Sequence, residues 1–276
     1  MGIYHHKKFE KILMSGIVII TTKGDAKRFF VNTIQKETGA VRLAVLQYPK
    51  KRSLFKRIHS FYKKVGLKNI LGEMYSFFSM KLSKKKKQSL SLIYTRSNES
   101  WSDGGYLVET METTSINEDA VYERVKEINP DVIAIFGGHI LKSRLLELAP
   151  HVVNIHFGYA PYYRGVNGIE NAIVNDDMEH VGITIHYAVP KVDAGEIIKV
   201  VTKDHKTSPQ KFFSTLNDTA LREYVDIVKK LYKYGRVGSK PQGQTLGKNY
   251  MLKDWTYAKQ CILAEKMKNW ETVTLR

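Results

Sequence analysis

Short apolar runs rich in β-branched residues alternate along this chain with stretches whose apolar positions repeat every three or four residues. Gly16-Ile17-Val18-Ile19-Ile20-Thr21-Thr22 is bounded by Gly16 and by Lys23-Gly24-Asp25, and reads as a buried first strand. Residues 25–38 then carry a helical pattern that Gly39 stops. Residues 41–48 predict a second strand ended by Pro49. Beyond it Leu54, Phe55, Ile58, Phe61, Tyr62 and Val65 form a helical stripe with Lys and Arg opposite. Lys84-Lys85-Lys86-Lys87 reads as a flexible loop, and residues 91–96 as a short strand.

Trp101-Ser102-Asp103-Gly104-Gly105 is turn chemistry. Residues 117–129 predict a helix capped by Asn117 and broken at Pro130-Asp131. Val132-Ile133-Ala134-Ile135-Phe136 is the strongest buried strand, followed directly by Gly137-Gly138-His139. A helix over about 140–148 leads to Pro150 and a strand over 151–156, giving a parallel crossover unit. Two further strands are expected over 180–188 and 196–202. A long helix spans 208–234, with Ser208 as cap, Pro209 at its first position and Gly235 as its stop. The tail is polar at first and then helical from Trp255 to about Trp270. The fold class is α/β: a Rossmann-like, mostly parallel twisted sheet with helices on both faces and a small C-terminal appendage. The expected division is 1–205, with a basic insertion at about 50–88, and a helical region with tail over 206–276.

Composition changes this picture in two places. The single cysteine, Cys261, allows no intramolecular disulfide, and no apolar run approaches the roughly 20 residues of a membrane span, so a cytoplasmic enzyme is expected. Of the net charge of +17, residues 50–87 supply +12: thirteen Lys or Arg against one acid, Glu73. A surface helix with a solvated basic face, a membrane-surface helix, a nucleic-acid face and a steering patch for polyanions all fit that segment. The loop after the first strand has one glycine, which excludes a dinucleotide fingerprint and a P-loop.

The candidate chemistry lies in residues 151–198. Asn154 and His156, two apart on a strand, share one face where the strand runs out into a Gly/Pro-rich loop. About forty residues later, Val192-Asp193-Ala194-Gly195 brings a carboxylate into a tight turn. An amide, an imidazole and a carboxylate form an acid/base set if the fold brings Asp193 back to His156. Singly these would be a capping Asn, a buried His and a turn Asp; it is their joint spacing that points to function. Gly137 and Gly138 fit either a tight turn or close backbone approach to a flat ligand. Arg164, Gly165 and Asn167 lie where a phosphorylated or hydroxylated substrate could dock, and Tyr159, Tyr162 and Tyr163 could stack on a ring or pack. Thr184 and His186 read as structural, and the histidines lack metal-ligand spacing, so no metal is expected.

Asn154-x-His156, Pro161, Arg164-Gly165, Gly182-x-Thr184 and Asp193-x-Gly195 with Ile197 resemble the core signature of the folate-dependent formyltransferases. The resemblance is close over 130–200 and faint outside. It implies the formyltransferase fold, 10-formyltetrahydrofolate as formyl donor, and Asn154, His156 and Asp193 as the catalytic positions. Formyl transfer needs a base for the attacking amine, a donor to the oxyanion and a proton for the leaving nitrogen. His156 would serve as base and then donor, Asp193 would orient it, and Asn154 would offer an N–H to the oxyanion. By the same resemblance Gly137, Gly138, His139, Ile140 and Leu141, with Gly195 at the Asp193 turn, would bind the coenzyme. The chain departs from the family pattern at Phe157-Gly158-Tyr159, where many members carry a small polar residue.

Within the family, elimination and loose similarity favour an amino sugar carried on a nucleotide as acceptor, in a cell-surface glycan (lipopolysaccharide-type) pathway. The Gly/Ser-rich phosphate loop of the glycinamide ribonucleotide enzymes is missing, and the stretch after Asp193 looks short for a full tRNA-binding domain. A formyl-folate hydrolase would carry a regulatory domain before the first strand, for which residue 16 leaves no room. The alternatives are a methionyl-tRNA formyltransferase-like protein, supported by the basic segment, and a non-catalytic membrane-surface or scaffold protein. Related sugar enzymes suggest a homodimer.

Overall fold

The computed structural model describes residues 16–48, 70–97, 104–243 and 247–274. The helix expected on the 54–65 stripe, the stop at Pro49 and the turn at 101–103 lie outside the described residues. Strands and helices follow in the order β1 Ile17–Thr22, α1 Asp25–Thr38, β2 Val41–Gln47, α2 Ile70–Leu82, α3 Lys84–Ser91, β3 Thr110–Thr113, α4 Asp119–Ile128, β4 Val132–Phe136 and α5 Ser143–Leu146. Then come β5 His151–His156, β6 Tyr163–Gly165, α6 Gly168–Val174, β7 Ile183–Tyr187, β8 Ile197–Val201, α7 Pro209–Tyr234, β9 Lys248–Tyr250 and α8 Tyr257–Thr274.

Seven strands form one sheet in the order β3-β2-β1-β4-β5-β7-β8. The first five are parallel, and β7 and β8 are antiparallel to their neighbours. Strand order reverses between β1 and β4, and such a switch point opens a crevice at the carboxyl ends of the strands. Because successive side chains alternate across a strand, Ile17, Ile19, Val132, Ala134 and Val153 join one core with α1 and α7. Val18, Ile20, Ile133, Ile135 and Val152 join another with α4 and α5. Every residue of β1 and β4 but Thr22 is buried, which explains their unbroken apolar sequences.

The long α7 packs Phe212, Phe213, Leu216, Tyr224, Val228 and Leu231 into the same core as the central strands. Its ends follow the sequence signals: Ser208 Oγ accepts from Lys211 N, Pro209 opens the helix, and Gly235 closes it with a left-handed φ of 66°. The hydroxyl of Tyr224 lies 2.9 Å from both Ile135 O and Val153 O, so it ties β4 to β5 near the ends that carry the candidate site.

Five local expectations are corrected. Lys84–Lys87 is helical, not a loop: Ser83 accepts from Lys86 N as an N-cap, and α8 packs against both α2 and α3. Residues 92–94 form a 3-10 turn instead of a strand, because Asn217 Nδ2 donates to Ile93 O and Thr95 O and so takes the place of a neighbouring strand. Asn117 does not cap α4. Its side chain bridges to Ile140 O at 2.9 Å and Lys142 N at 2.8 Å, holding the loop before α5, and the expected 140–148 helix is confined to Ser143–Leu146. The tail contributes a strand, β9, which pairs with β6 before its helix begins.

Candidate active site

A cavity of about 680 Å³ opens at the carboxyl ends of β4 and β5. Asn154 and His156 reach it from the last turns of β5, and Asp193 from the turn between β7 and β8. The chain folds back so that Asp193 Oδ2 lies 3.3 Å from His156 Nδ1, and Oδ1 lies 3.4 Å from Asn154 Nδ2. Asp193 takes a left-handed φ of 44°, and Gln242 Nε2 holds the turn by donating to Asp193 O and Gly195 O at 2.8 Å each. The Gly165 N–H donates to Asp193 Oδ2 at 2.8 Å. Burial pushes the Asp193 carboxyl up, but at the acid pH where it titrates the His156 charge and the Gly165 N–H outweigh burial and bring the pKa to about 2.

His156 is buried, with Nε2 2.7 Å from Tyr163 O and Nδ1 facing Asp193. Burial pulls its pKa below the ordinary range, while Asp193 and the Tyr163 carbonyl act in the opposite sense. Both ring nitrogens thus face acceptors. With Nε2–H donated to Tyr163 O, the Nδ1 lone pair points at a carboxylate, and a proton gained at Nδ1 turns that contact into a charge-assisted hydrogen bond. The ring is built to accept a proton next to Asp193, and its burial keeps the charged form from persisting.

His186, expected to be structural, is part of the same cluster. It lies opposite Asn154 in the β5–β7 pairing, and its Nε2 is 3.2 Å from Asn154 Nδ2 and 3.4 Å from Asp193 Oδ1. Its Nδ1 faces Tyr187 O at 2.8 Å, which assigns the proton there and leaves Nε2 to accept from Asn154. One Asn154 proton therefore faces His186, and the other faces Asp193 in a long, loose contact. The signal in the sequence is parity: on β7 His186 shares the face of Thr184, and an antiparallel partner sets it across from Asn154.

The remaining candidates divide. Gly137, Gly138, His139, Ile140, Leu141, Gly165 and Asn167 line the cavity. The 137–139 turn has φ of 76° at Gly137 and 110° at Gly138, and Gln47 pins it by accepting from His139 N at 2.8 Å and contacting the His139 ring. Tyr159, Arg164 and Gly195 do not line it. Tyr159 packs edge-on against Tyr162 and His180, Arg164 is buried with Nη2 3.4 Å from Gly247 O, and Gly195 lies so close to Tyr187 that an added Cβ would stand 1.8 Å from Tyr187 O. The sequence reading missed Lys27, Tyr94 and residues 249–253, all in the wall. The Lys27 ammonium sits 4.4 Å over the Phe136 ring and burial lowers its pKa; Tyr94 donates to the buried Glu170 at 2.5 Å. Strand pairing of β9 with β6 brings the 249–253 stretch in, a long-range contact with no local signal.

Apolar walls from Ile135, Phe136, Leu141, Val189 and Val192, beside the backbone polar groups of the 137–141 turn, suit a flat heteroaromatic ring with a hydrogen-bonding edge. Beside such a ring the cluster offers an acceptor for a proton and a donor to developing negative charge.

A family profile described as formyl transferase matches residues 74–223. A methionyl-tRNA formyltransferase of Borreliella burgdorferi is 32% identical over 122 residues, covering 42% of this chain and 39% of that protein's length. The chain thus matches less than half the length of that curated relative. In fold, the structure is similar to a sugar N-formyltransferase from Shewanella, with a TM-score of 0.54 at 13% identity over 91% of this chain and 88% of the other. It is also similar to a 4-N formyltransferase from Francisella tularensis, with a TM-score of 0.53 at 13% identity over 92% and 88%.

Proposed function

This chain belongs to the formyl transferase family, and from that premise we propose that it transfers a formyl group from 10-formyltetrahydrofolate to the amine of a nucleotide-linked amino sugar. The observation that carries the reading is the Asn154–His156–Asp193 cluster at the mouth of the 680 Å³ cavity beside the 137–141 turn. The coenzyme supplies the activated formyl group. Its ring would lie against Gly137, Gly138, His139, Ile140 and Leu141. Gly165 and Asn167 lie on the cavity side where the acceptor would enter.

The roles of the chain's own groups follow from their contacts. As the amine attacks the formyl carbon, its proton passes to the His156–Asp193 pair, with Nδ1 as the site that gains most from protonation. Asn154 turns its loosely held Nδ2 proton to the negative charge that develops on the formyl oxygen. His186 holds the other Nδ2 proton and so orients the amide. The proton on His156 returns to the nitrogen that leaves, which restores the starting state.

The sugar acceptor is supported by the likeness of fold to a sugar N-formyltransferase along most of both chains. A second reading, formylation of an aminoacyl-tRNA, is favoured by the curated relatives that match in sequence. A screen of amino-sugar nucleotides and of methionyl-tRNA with 10-formyltetrahydrofolate, read by the mass gain of one formyl group, separates them. Formylated sugar nucleotide, lost on His156→Asn, is expected. Formylation of tRNA alone overturns the acceptor, and no formylation of any amine overturns the activity.

A further inference from the structure

Helix α2 is packed on one side and bare on the other. Glu73, Phe77 and Met80 face the body of the protein. The Glu73 carboxylate accepts from Tyr257 N at 2.8 Å and Ala258 N at 3.1 Å, and so caps α8; the Phe77 ring meets Tyr257 edge-on at 5.0 Å. At 100° per residue, Leu71, Met74, Tyr75, Phe78 and Leu82 fall within an arc of about 100° on the opposite side. Leu71, Tyr75 and Leu82 are 82%, 77% and 83% exposed, and Phe78 is 53% exposed. A helix apolar on both sides is normally buried on both. An exposed apolar stripe of this kind marks a contact surface.

The charge next to the stripe selects the partner. Lys81, Lys84, Lys85 and Lys87 are exposed where α2 passes into α3, and the Ser83 cap holds that junction helical. Two of the lysines are steadied there: Lys86 Nζ donates to Ser79 Oγ at 2.7 Å, and Lys87 Nζ to Lys81 O at 2.6 Å. The only acid in residues 50–87 is Glu73, which is turned inward and satisfied, so the stretch presents no negative charge outward. A nucleic acid would use the lysines but leave Leu71, Phe78 and Leu82 in water. A second copy of this chain would cover the stripe but bring two strongly basic segments together.

We propose that the α2–α3 face docks on an anionic lipid bilayer, with Leu71, Tyr75, Phe78 and Leu82 in the boundary between headgroups and acyl chains and the lysines against the headgroups. Both halves of the pattern are needed: apolar side chains give depth, and each lysine near an anionic surface adds roughly fivefold in affinity. The helix lies on the membrane; among the described residues, no helix is long and apolar enough to cross one. The end of α3 runs directly into Tyr94, which lines the cavity, so the docking face and the candidate site share the continuous stretch 71–94.

The test is sedimentation of the full chain with vesicles of phosphatidylcholine alone and of phosphatidylcholine mixed with phosphatidylglycerol. The mixed vesicles should bind at least tenfold more tightly. Replacing Leu71→Ser, Phe78→Ser and Leu82→Ser together should cost at least tenfold in that binding, as should Lys81→Gln, Lys84→Gln and Lys85→Gln together, with thermal unfolding unchanged because these side chains are exposed. A Phe78→Trp variant should shift its emission to the blue on the mixed vesicles and be quenched by brominated lipid. Wild-type protein that binds neither vesicle overturns the proposal, as does an apolar triple variant that binds like the wild type. A triple variant that turns a dimer into a monomer with vesicle binding intact also overturns it, in favour of a second copy. Loss of RNA binding in the lysine variant, with no vesicle binding by the wild type, overturns it in favour of nucleic acid.

Discussion

Replacing Asp193→Asn tests whether the cluster works through a buried charge. In the folded protein the carboxyl titrates at about 2 against an ordinary 3.8, because the groups around it favour the anion more than burial opposes it. At about 1.4 kcal/mol for each tenfold in proton affinity, that difference is worth about 2 kcal/mol of folding stability. The folded pKa is depressed, so the contribution is present in full above the unfolded pKa and is lost as pH falls through the folded one. Asn keeps the shape and removes the charge. Urea unfolding near pH 5 should therefore show the variant less stable than wild type by at most about 2 kcal/mol, and by about half as much near pH 3. The same variant should fall at least about a hundredfold in formyl transfer, since Nδ1 of His156 loses the carboxylate that makes protonation favourable. Ring-proton NMR should find the His156 pKa lower still, because Asp193 raises it in the wild type. A gap that is absent, or equal at both pH values, would refute the claim that His156 and the Gly165 N–H hold an anion.

Three further changes probe the supports. His186→Leu nearly keeps the volume but frees Asn154, so kcat should fall about tenfold with KM little changed; an unchanged kcat removes His186 from the site. Tyr224→Phe leaves Ile135 O and Val153 O without its hydroxyl, and urea unfolding should register a loss of about 1–3 kcal/mol. Gly165→Ala puts a Cβ 2.1 Å from Tyr250 O at a φ of 84°, so β9 must leave β6; a fall of several degrees in Tm with loss of coenzyme binding is expected, and wild-type values for both would contradict the pairing. Acidification from pH 7 to 5 should destabilise the wild type, because the unfolded chain protonates its histidine where buried His156 resists, and His156→Asn should flatten that slope.

The parts of the fold legible in the sequence are those where one local signal decides. Val132–Phe136 is buried on both faces and could be little else, and Ser208, Pro209 and Gly235 fix α7 by cap chemistry alone. Asn154 and His156 were legible because strand parity puts them on one face. The same rule applied to β7 would have found His186, had its antiparallel pairing with β5 been known. Lys84–Lys87 misled because repulsion among lysines is visible in sequence, whereas a cap by Ser83 and packing on α8 are not weighed against it. Asn249 to Lys253 had no local signal, since a three-residue pairing with β6 is what brings them to the cavity. Arg164 looked like a ligand because it is charged in a loop, yet it is buried against the 247 backbone.

The stretch from Arg236 onward ties together elements that are otherwise remote. It supplies Gln242 to the Asp193 turn, Asn249 to Lys253 to the cavity wall, and the amides of Tyr257 and Ala258 to Glu73 beneath the lipid-facing helix. One tryptic nick at exposed Arg236, followed by release of the fragment, would therefore silence chemistry and membrane attachment in the same event. Any carboxy-terminal fusion that pulls on α8 would be felt first at Trp270, against Phe212 and Phe213, and only then at Glu73, far along the chain from where it was attached.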